Sequence, residues 1–238
     1  MTEATGHQSA TPLAAPIQPE AGETLTEAAY RAMRHDIIRG VRAPGERLRI
    51  EKLRQLYDIG PTPLREALQK LSAEQLVLSE GNRGFTVAPL DFEEFTDLNI
   101  ARTDVEMAAL RRSIAGGDPA WEARVVAASY IMAKEDAALE SAGGEVRDSW
   151  EEANAAFHSA LVSACGSAWL LRVRSGLQDL CERYRRASVR GRGGARHLGE
   201  EHAAISQAVL ARDTERACEL LRRHFETTAK DLSVTPRD

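Results

Sequence analysis

Residues 60–71, GPTPLREALQKL, constrain the fold more than any other stretch of the chain. They read as the abrupt opening of a helix. Thr62 is predicted as the N-cap and Pro63 as the first helical residue, where proline's missing N–H costs nothing. Leu64, Ala67, Leu68 and Leu71 recur at helical spacing and give one apolar face. Arg65, Glu66, Gln69 and Lys70 fall on the other faces. What the basic and amide side chains meet decides what the chain does.

The flanking sequence supplies the context. Residues 26–39 (TEAAYRAMRHDIIR) predict an amphipathic helix with Ala29, Met33, Ile37 and Ile38 on its apolar face. Gly40 ends it, and APGERL (43–48) is a turn. A short helix follows at 50–57, presenting Ile50, Leu53 and Leu56/Tyr57, and DIG connects it tightly to the 60–71 segment. LVLSEGNRGFTVAPL (76–90) reads as two strands, Val77–Ser79 and Phe85–Ala88, around a Gly-rich tip. Helix, helix, tight turn, helix, hairpin is the order of a winged helix-turn-helix, whose helix after the turn enters the DNA major groove. Thr62, Arg65 and Gln69 then face the groove, with Arg65 the strongest candidate to read guanine, or else a phosphate clamp. Arg49, Lys52, Arg54, Arg83 and Gly84, the last two at the hairpin tip, are the further DNA-facing candidates.

Charge agrees with this division. Residues 24–90 carry 11 Lys/Arg against 8 Asp/Glu, on a chain whose formal net charge is −5. A locally basic segment on an acidic chain is compatible with nucleic-acid binding. Residues 1–23 are acidic, rich in Pro, Ala and Thr, and without the basic and apolar regions of a signal peptide; they predict a disordered tail. Cys165, Cys181 and Cys218 are scattered and form no CxxC, as expected of thiols in a reducing compartment. No apolar run reaches the roughly 18 residues of a membrane span, so the expected location is the cytoplasm, nucleoid-associated.

From Asp91 onward no convincing strand signal occurs. DFEEFTDLNIARTDVEMAALRRSIA opens on an Asp-x-x-Glu capping box and runs as a long amphipathic helix until Gly116–Pro119. Further helices are predicted at 120–139, 147–165, 168–189, 197–211 and 214–230, punctuated by glycines. The fold class is therefore mainly α: a winged helix-turn-helix over 24–90, then an all-α bundle over 91–238.

The stretch 38–88, IIRG…APGERL…DIGPTPLREALQKLSAEQLVLSEGNRGFTV, resembles the GntR-type bacterial transcription regulators. The remainder is similar to that family's all-helical FCD effector domain, which implies the FadR-like subfamily. PTPLREAL together with NRGFTVAP is also similar to a branch that responds to small dicarboxylates such as glutarate. The resemblance implies a dimeric DNA-binding regulator, a repressor by expectation, that binds a near-palindromic double-stranded operator and senses a small carboxylate. Two departures stand out. Gly60-Pro61-Thr62-Pro63 replaces the family's Ser-Arg-Thr-Pro, so one basic residue is missing. Asn154 stands where a carboxylate is common.

The family's metal-binding pattern maps onto Asn154, His158, His202 and His224, implying a divalent transition metal, Zn or Ni. Spacing alone leaves two readings. Asn154 and His158 share a helix face at i,i+4, and the later two histidines fall on separate helices, so the four converge on one point or are unconnected. An Arg near Arg102 often reaches the family's effector pocket, and a guanidinium holds a carboxylate bidentately. Arg102 with Glu106 therefore reads either as an effector contact or as a surface i,i+4 pair. The basic run RYRRASVRGRGGAR (183–196) reads as a helix end and inter-helix loop. Trp121, Trp150 and Trp169 are expected in the core or an interface, and His7, His35 and His197 as structural or solvated. Two other functions stay open at this level. One is a metal-dependent enzyme acting on a small carboxylate, although no HExxH occurs. The other is a constitutive DNA-binding protein with a vestigial pocket.

Overall fold

The computed structural model describes residues 17–81, 84–142, 147–188 and 197–233. Among them lie nine helices and three short strands, in two compact units, one ending at Pro89 and the other beginning at Leu90. The predicted tail falls largely outside the described residues, and Arg83 falls outside them altogether.

In the first unit, helix α1 (Leu25–Ile38) begins one residue before the predicted start. Thr24 caps it in a capping box with Glu27: the Glu27 N–H donates to Thr24 Oγ1 at 3.2 Å and the Thr24 N–H to Glu27 Oε2 at 2.9 Å. Ala29, Met33, Ile37 and Ile38 are buried as their spacing requires. Gly40, with φ +75°, lets the chain leave the helix through left-handed backbone. Strand β1 (Arg47–Leu48) follows, then α2 (Ile50–Tyr57), which buries Leu53 and Tyr57. The Tyr57 hydroxyl donates to Asp36 Oδ2 at 2.6 Å and so ties α2 to α1.

Helix α3 (Pro61–Ala73) corrects the predicted entrance. Gly60, not Thr62, is the N-cap, and Pro61, not Pro63, is the first helical residue. Gly60 is extended (φ −61°, ψ 161°) and makes no side-chain cap bond. Both prolines fit because the N–H groups of a first helical turn have no intrahelical acceptor. Leu64, Ala67, Leu68 and Leu71 are fully buried. Strands β2 (Val77–Ser79) and β3 (Phe85–Val87) form the wing. The sheet is antiparallel in the order β1-β3-β2, with Arg47 opposite Thr86 and Val77 opposite Val87. The turn predicted at 43–48 thus closes into a third strand.

The second unit holds α4 (Phe92–Gly116), α5 (Pro119–Ser141), α6 (Asp148–Val162), α7 (Ala168–Ser188), α8 (Leu198–Leu210) and α9 (Thr214–Ser233). Asp91 caps α4 by accepting the Glu93 N–H at 2.8 Å; this is a single cap rather than the predicted box. Helix α4 packs against α6, α7 and α9, while α5 packs against α6 and α8. Leu110, Trp121, Met132, Phe157, Leu161, Ile205 and Leu221 form the centre of the core. Trp121 and Trp150 are buried, whereas Trp169 is 71% exposed on α7. All three cysteines are buried free thiols. Among the described residues no helix is long and apolar enough to cross a membrane.

Candidate metal centre and DNA-facing groove

The core of the second unit contains a polar island. Asn154 and His158, one turn apart on α6, both point inward, and His202 on α8 and His224 on α9 meet them. Candidate ligand atoms of the three imidazoles all lie within 4.8 Å of one another. The three histidines and Asn154 are buried, with His158 1% exposed. Burial, reinforced by His224 and Arg102, holds the His158 imidazole well below the usual histidine range. It is therefore neutral, the form that ligates a metal. The convergent reading of the four residues is the one the geometry supports.

Two carboxylates that periodicity did not reveal orient this cluster. Asp136 Oδ2 lies 2.7 Å from His202 Nδ1, and Glu201 Oε2 lies 2.7 Å from His224 Nδ1. Asp136 is itself fixed by the Trp150 indole N–H, which donates to Oδ1 at 2.9 Å. The available signal was the stripe Trp121, Val125, Met132, Asp136 on α5, in which one carboxylate interrupts a run of core positions.

The buried His158 Nδ1 and His202 Nε2 have no hydrogen-bond partner among the described residues. Buried polar atoms without a partner call for an explanation. Two such nitrogens among three close imidazoles, with an amide side chain alongside, form a nitrogen-and-oxygen donor set that fits a divalent transition metal.

A cavity of about 30 Å³ adjoins the cluster, lined among others by Asn99, Arg102, Asn154, His158, Arg185 and His224. Arg102 is buried, its guanidinium carbon 4.2 Å from the Phe225 ring centroid. Arg102 Nε lies 3.6 Å from Glu106 Oε1, and Arg174 Nε lies 3.0 Å from Glu106 Oε2. Glu106 is fully buried, so the surface-pair reading of Arg102 and Glu106 fails. Arg102 lines the cavity, whereas Glu106 does not and instead serves two arginines as counter-ion. Arg185, also missed in the sequence, lines the same cavity and donates from Nη2 to Glu151 Oε2 at 3.0 Å. It belongs to the basic run 183–196. Arg183 and Arg185 of that run are buried, and 189–196 lie outside the described residues.

The first unit carries a groove of about 540 Å³ lined by Arg47, Leu48, Arg49, Ile50, Arg65, Gly81, Gly84 and Phe85. It runs between the first turns of α2 and α3 and the wing. Gly84 has φ +95°, a backbone conformation that a side chain would strain. Of the predicted DNA-facing residues, Arg49, Arg65 and Gly84 line this groove. Thr62, Gln69, Lys52 and Arg54 are exposed on the helices but outside its lining, and Arg54 pairs with Glu51 at 3.0 Å. Arg47 joins the groove because the unpredicted strand β1 pairs with β3.

Comparison with known proteins agrees with both halves. Residues 25–87 match the family model of bacterial regulatory proteins, gntR family, and residues 97–227 match the FCD domain. The chain is 40% identical over 215 residues to the uncharacterized HTH-type transcriptional regulator BphR of Paraburkholderia xenovorans, covering 90% of this chain and 88% of that protein. It is 40% identical over 202 residues to the HTH-type transcriptional repressor GlaR of Escherichia coli, covering 83% of this chain and 91% of that one. Among solved structures, a transcriptional regulator GntR from Rhodococcus sp. RHA1 superposes with TM-score 0.72 at 28% identity, over 89% of this chain and 99% of its own. The fold recurs in E. coli McbR/YncC, TM-score 0.73 at 19% identity, over 88% of this chain and 97% of that one. Family models and relatives alike are transcription regulators rather than enzymes, and a winged helix-turn-helix joined to a helical FCD domain makes this chain a DNA-binding transcriptional regulator of the GntR family, FadR-like subfamily.

Proposed function

We propose that the protein is a dimeric cytoplasmic repressor that binds a near-palindromic operator and answers to a small organic acid through a metal-containing pocket. The observation that carries this reading is the meeting of Asn154, His158, His224 and Arg102 around one cavity inside the FCD domain. Asn154, His158, His202 and His224 would hold the metal, Zn or Ni. A bound divalent ion supplies an electrophilic site for a carboxylate oxygen. Arg102 supplies a buried guanidinium for the same acid, suited to bidentate pairing. Arg185 lines the same cavity and is held in place by Glu151.

On the DNA side, Arg47 and Arg49 contact phosphates and Arg65 reads a base edge. Thr62 and Gln69 extend the reading face, Lys52, Arg54 and Gly84 flank it, and Arg83 is a further DNA contact proposed from the sequence alone. A two-fold dimer matches a palindromic operator, with one winged helix per half-site. The repressor assignment follows the relative GlaR, itself a repressor.

The test is a titration of DNA-bound protein with mono- and dicarboxylates, with and without EDTA. A saturable, chelator-sensitive change in operator affinity with one acid supports the sensor. Operator binding that no acid alters, by a protein that takes up no metal, leaves a constitutive DNA-binding protein.

A further inference from the structure

We propose that Asp136 and Glu201 are the charge-balancing and positioning residues of the metal centre, supplying from behind the histidines the negative charge that the ligands themselves lack. This rests on the metal reading above.

The argument is one of charge and direction. The set Asn154, His158, His202 and His224 is neutral when it ligates. A divalent cation placed in a core among neutral ligands is expensive unless anionic groups lie close. Asn154 offers a neutral amide oxygen, so none of the four candidate ligands supplies that charge. Asp136 and Glu201 supply two negative charges, each one imidazole away from the centre. They match the two positive charges of a divalent ion.

The same contacts fix which nitrogen faces inward. A carboxylate only accepts, so the imidazole carries its proton on Nδ1 and keeps the Nε2 lone pair free. At His202 that Nε2 is buried without a partner among the described residues. Asp136 cannot turn away, because Trp150 holds its other oxygen at 2.9 Å. It is also buried (2% exposed), so its charge is poorly screened, whereas the Glu201 side chain is 31% exposed. Asp136 therefore contributes more than Glu201. The partners come from 66 residues upstream of His202 and 23 upstream of His224, so tertiary packing rather than local sequence joins each pair.

The experiment is a competition titration of the full-length chain with Zn²⁺ against a chromogenic chelator, for wild type, D136N and E201Q. Asparagine and glutamine keep an acceptor oxygen and remove the charge. Each substitution is expected to weaken Zn²⁺ binding by about ten- to a hundredfold, more for D136N, with stoichiometry unchanged. The visible absorption of the Co²⁺-substituted protein should shift in both, which a merely structural role would not produce. Thermal unfolding in EDTA separates folding from binding, and if D136N fails to fold, the partly exposed E201Q decides. Wild-type uptake of Zn²⁺ with affinities within threefold of it in every folded variant overturns the assignment alone. A wild type that takes up no Zn²⁺ overturns the metal reading, and this assignment with it.

Discussion

Three arginines along one groove make a divided prediction possible. Arg47 and Arg49 flank the start of α2, and Arg65 sits in the early turns of α3. If Arg49 contacts a phosphate, a dimer carries two such contacts. Each neutralised phosphate contributes about −0.9 to the slope of log affinity against log salt, so R49A flattens the slope by about 1.8. Between 50 and 200 mM salt, a fourfold change, the wild type should therefore lose roughly 12-fold more affinity than R49A. R47A should behave alike. R65A should instead cost about 1–3 kcal/mol per half-site and relax the preference at one base pair. The assay is fluorescence anisotropy on an operator selected from a random DNA pool, repeated across salt and on single-base variants. An R49A slope equal to that of wild type, or an R65A protein that keeps every base preference, would refute the reasoning.

Three further outcomes follow from packing and charge. Leu68→Ala opens a cavity under the recognition helix at a fully buried position and should cost about 2–5 kcal/mol in urea unfolding of the DNA-binding unit. Arg174→Met leaves the fully buried Glu106 with Arg102 alone at 3.6 Å, which should destabilise the FCD domain by about 3–5 kcal/mol, and the E106Q/R174M double variant should recover most of it. Burial and the hydrogen bond to Glu74 push the Tyr30 phenol up to about 12, and burial with Asp36 raises Tyr57 as well. A raised folded pKa favours the protonated native state, so this stability is complete below the ordinary tyrosine value near ~10 and is lost as pH rises through the folded values. The urea midpoint of the DNA-binding unit should fall above about pH 10, and Tyr57→Phe should make that fall shallower; a fall equally steep in both proteins would show that Tyr57 takes no part.

The fold was legible where apolar periodicity is long. The stripes Ala29–Met33–Ile37 and Leu64–Leu68–Leu71 each repeat over two turns or more, and all six residues are buried. What was not legible is short or depends on backbone. Strand β1 spans two residues, too few to carry an alternation, and exists only because β3 offers it an edge. At the entrance of α3 the sequence held two acceptable solutions, since either proline can open a helix. The extended Gly60 settles the choice two residues earlier than a Thr-cap preference suggests. The Thr24–Glu27 box was readable from the same rule that was applied to Asp91–Glu94, yet the box closes at the first and not at the second. The rule names residues able to cap. Whether the glutamate turns back is decided by its surroundings.

The candidate site divides along similar lines. Asn154 and His158 were visible as a pair because helical spacing puts i and i+4 on one face. Their meeting with His202 and His224 came from the family resemblance, because distances between helices are not written in local sequence. Arg102 and Glu106 show the limit of local rules. An i,i+4 ion pair looks the same in sequence at the surface and in the core, and only the arrival of Arg174 from α7 distinguishes them. A fully buried carboxylate facing two guanidiniums, beside a cavity that one of them lines, is costly to assemble from isolated parts. Its compensation comes from α4 and α7 packing together, as that of Arg185 comes from α6 and that of His202 from Asp136 on α5, which is why Arg174, Arg185 and Asp136 escaped a reading confined to one helix at a time. In such a core the charges that matter are recognised by their partners.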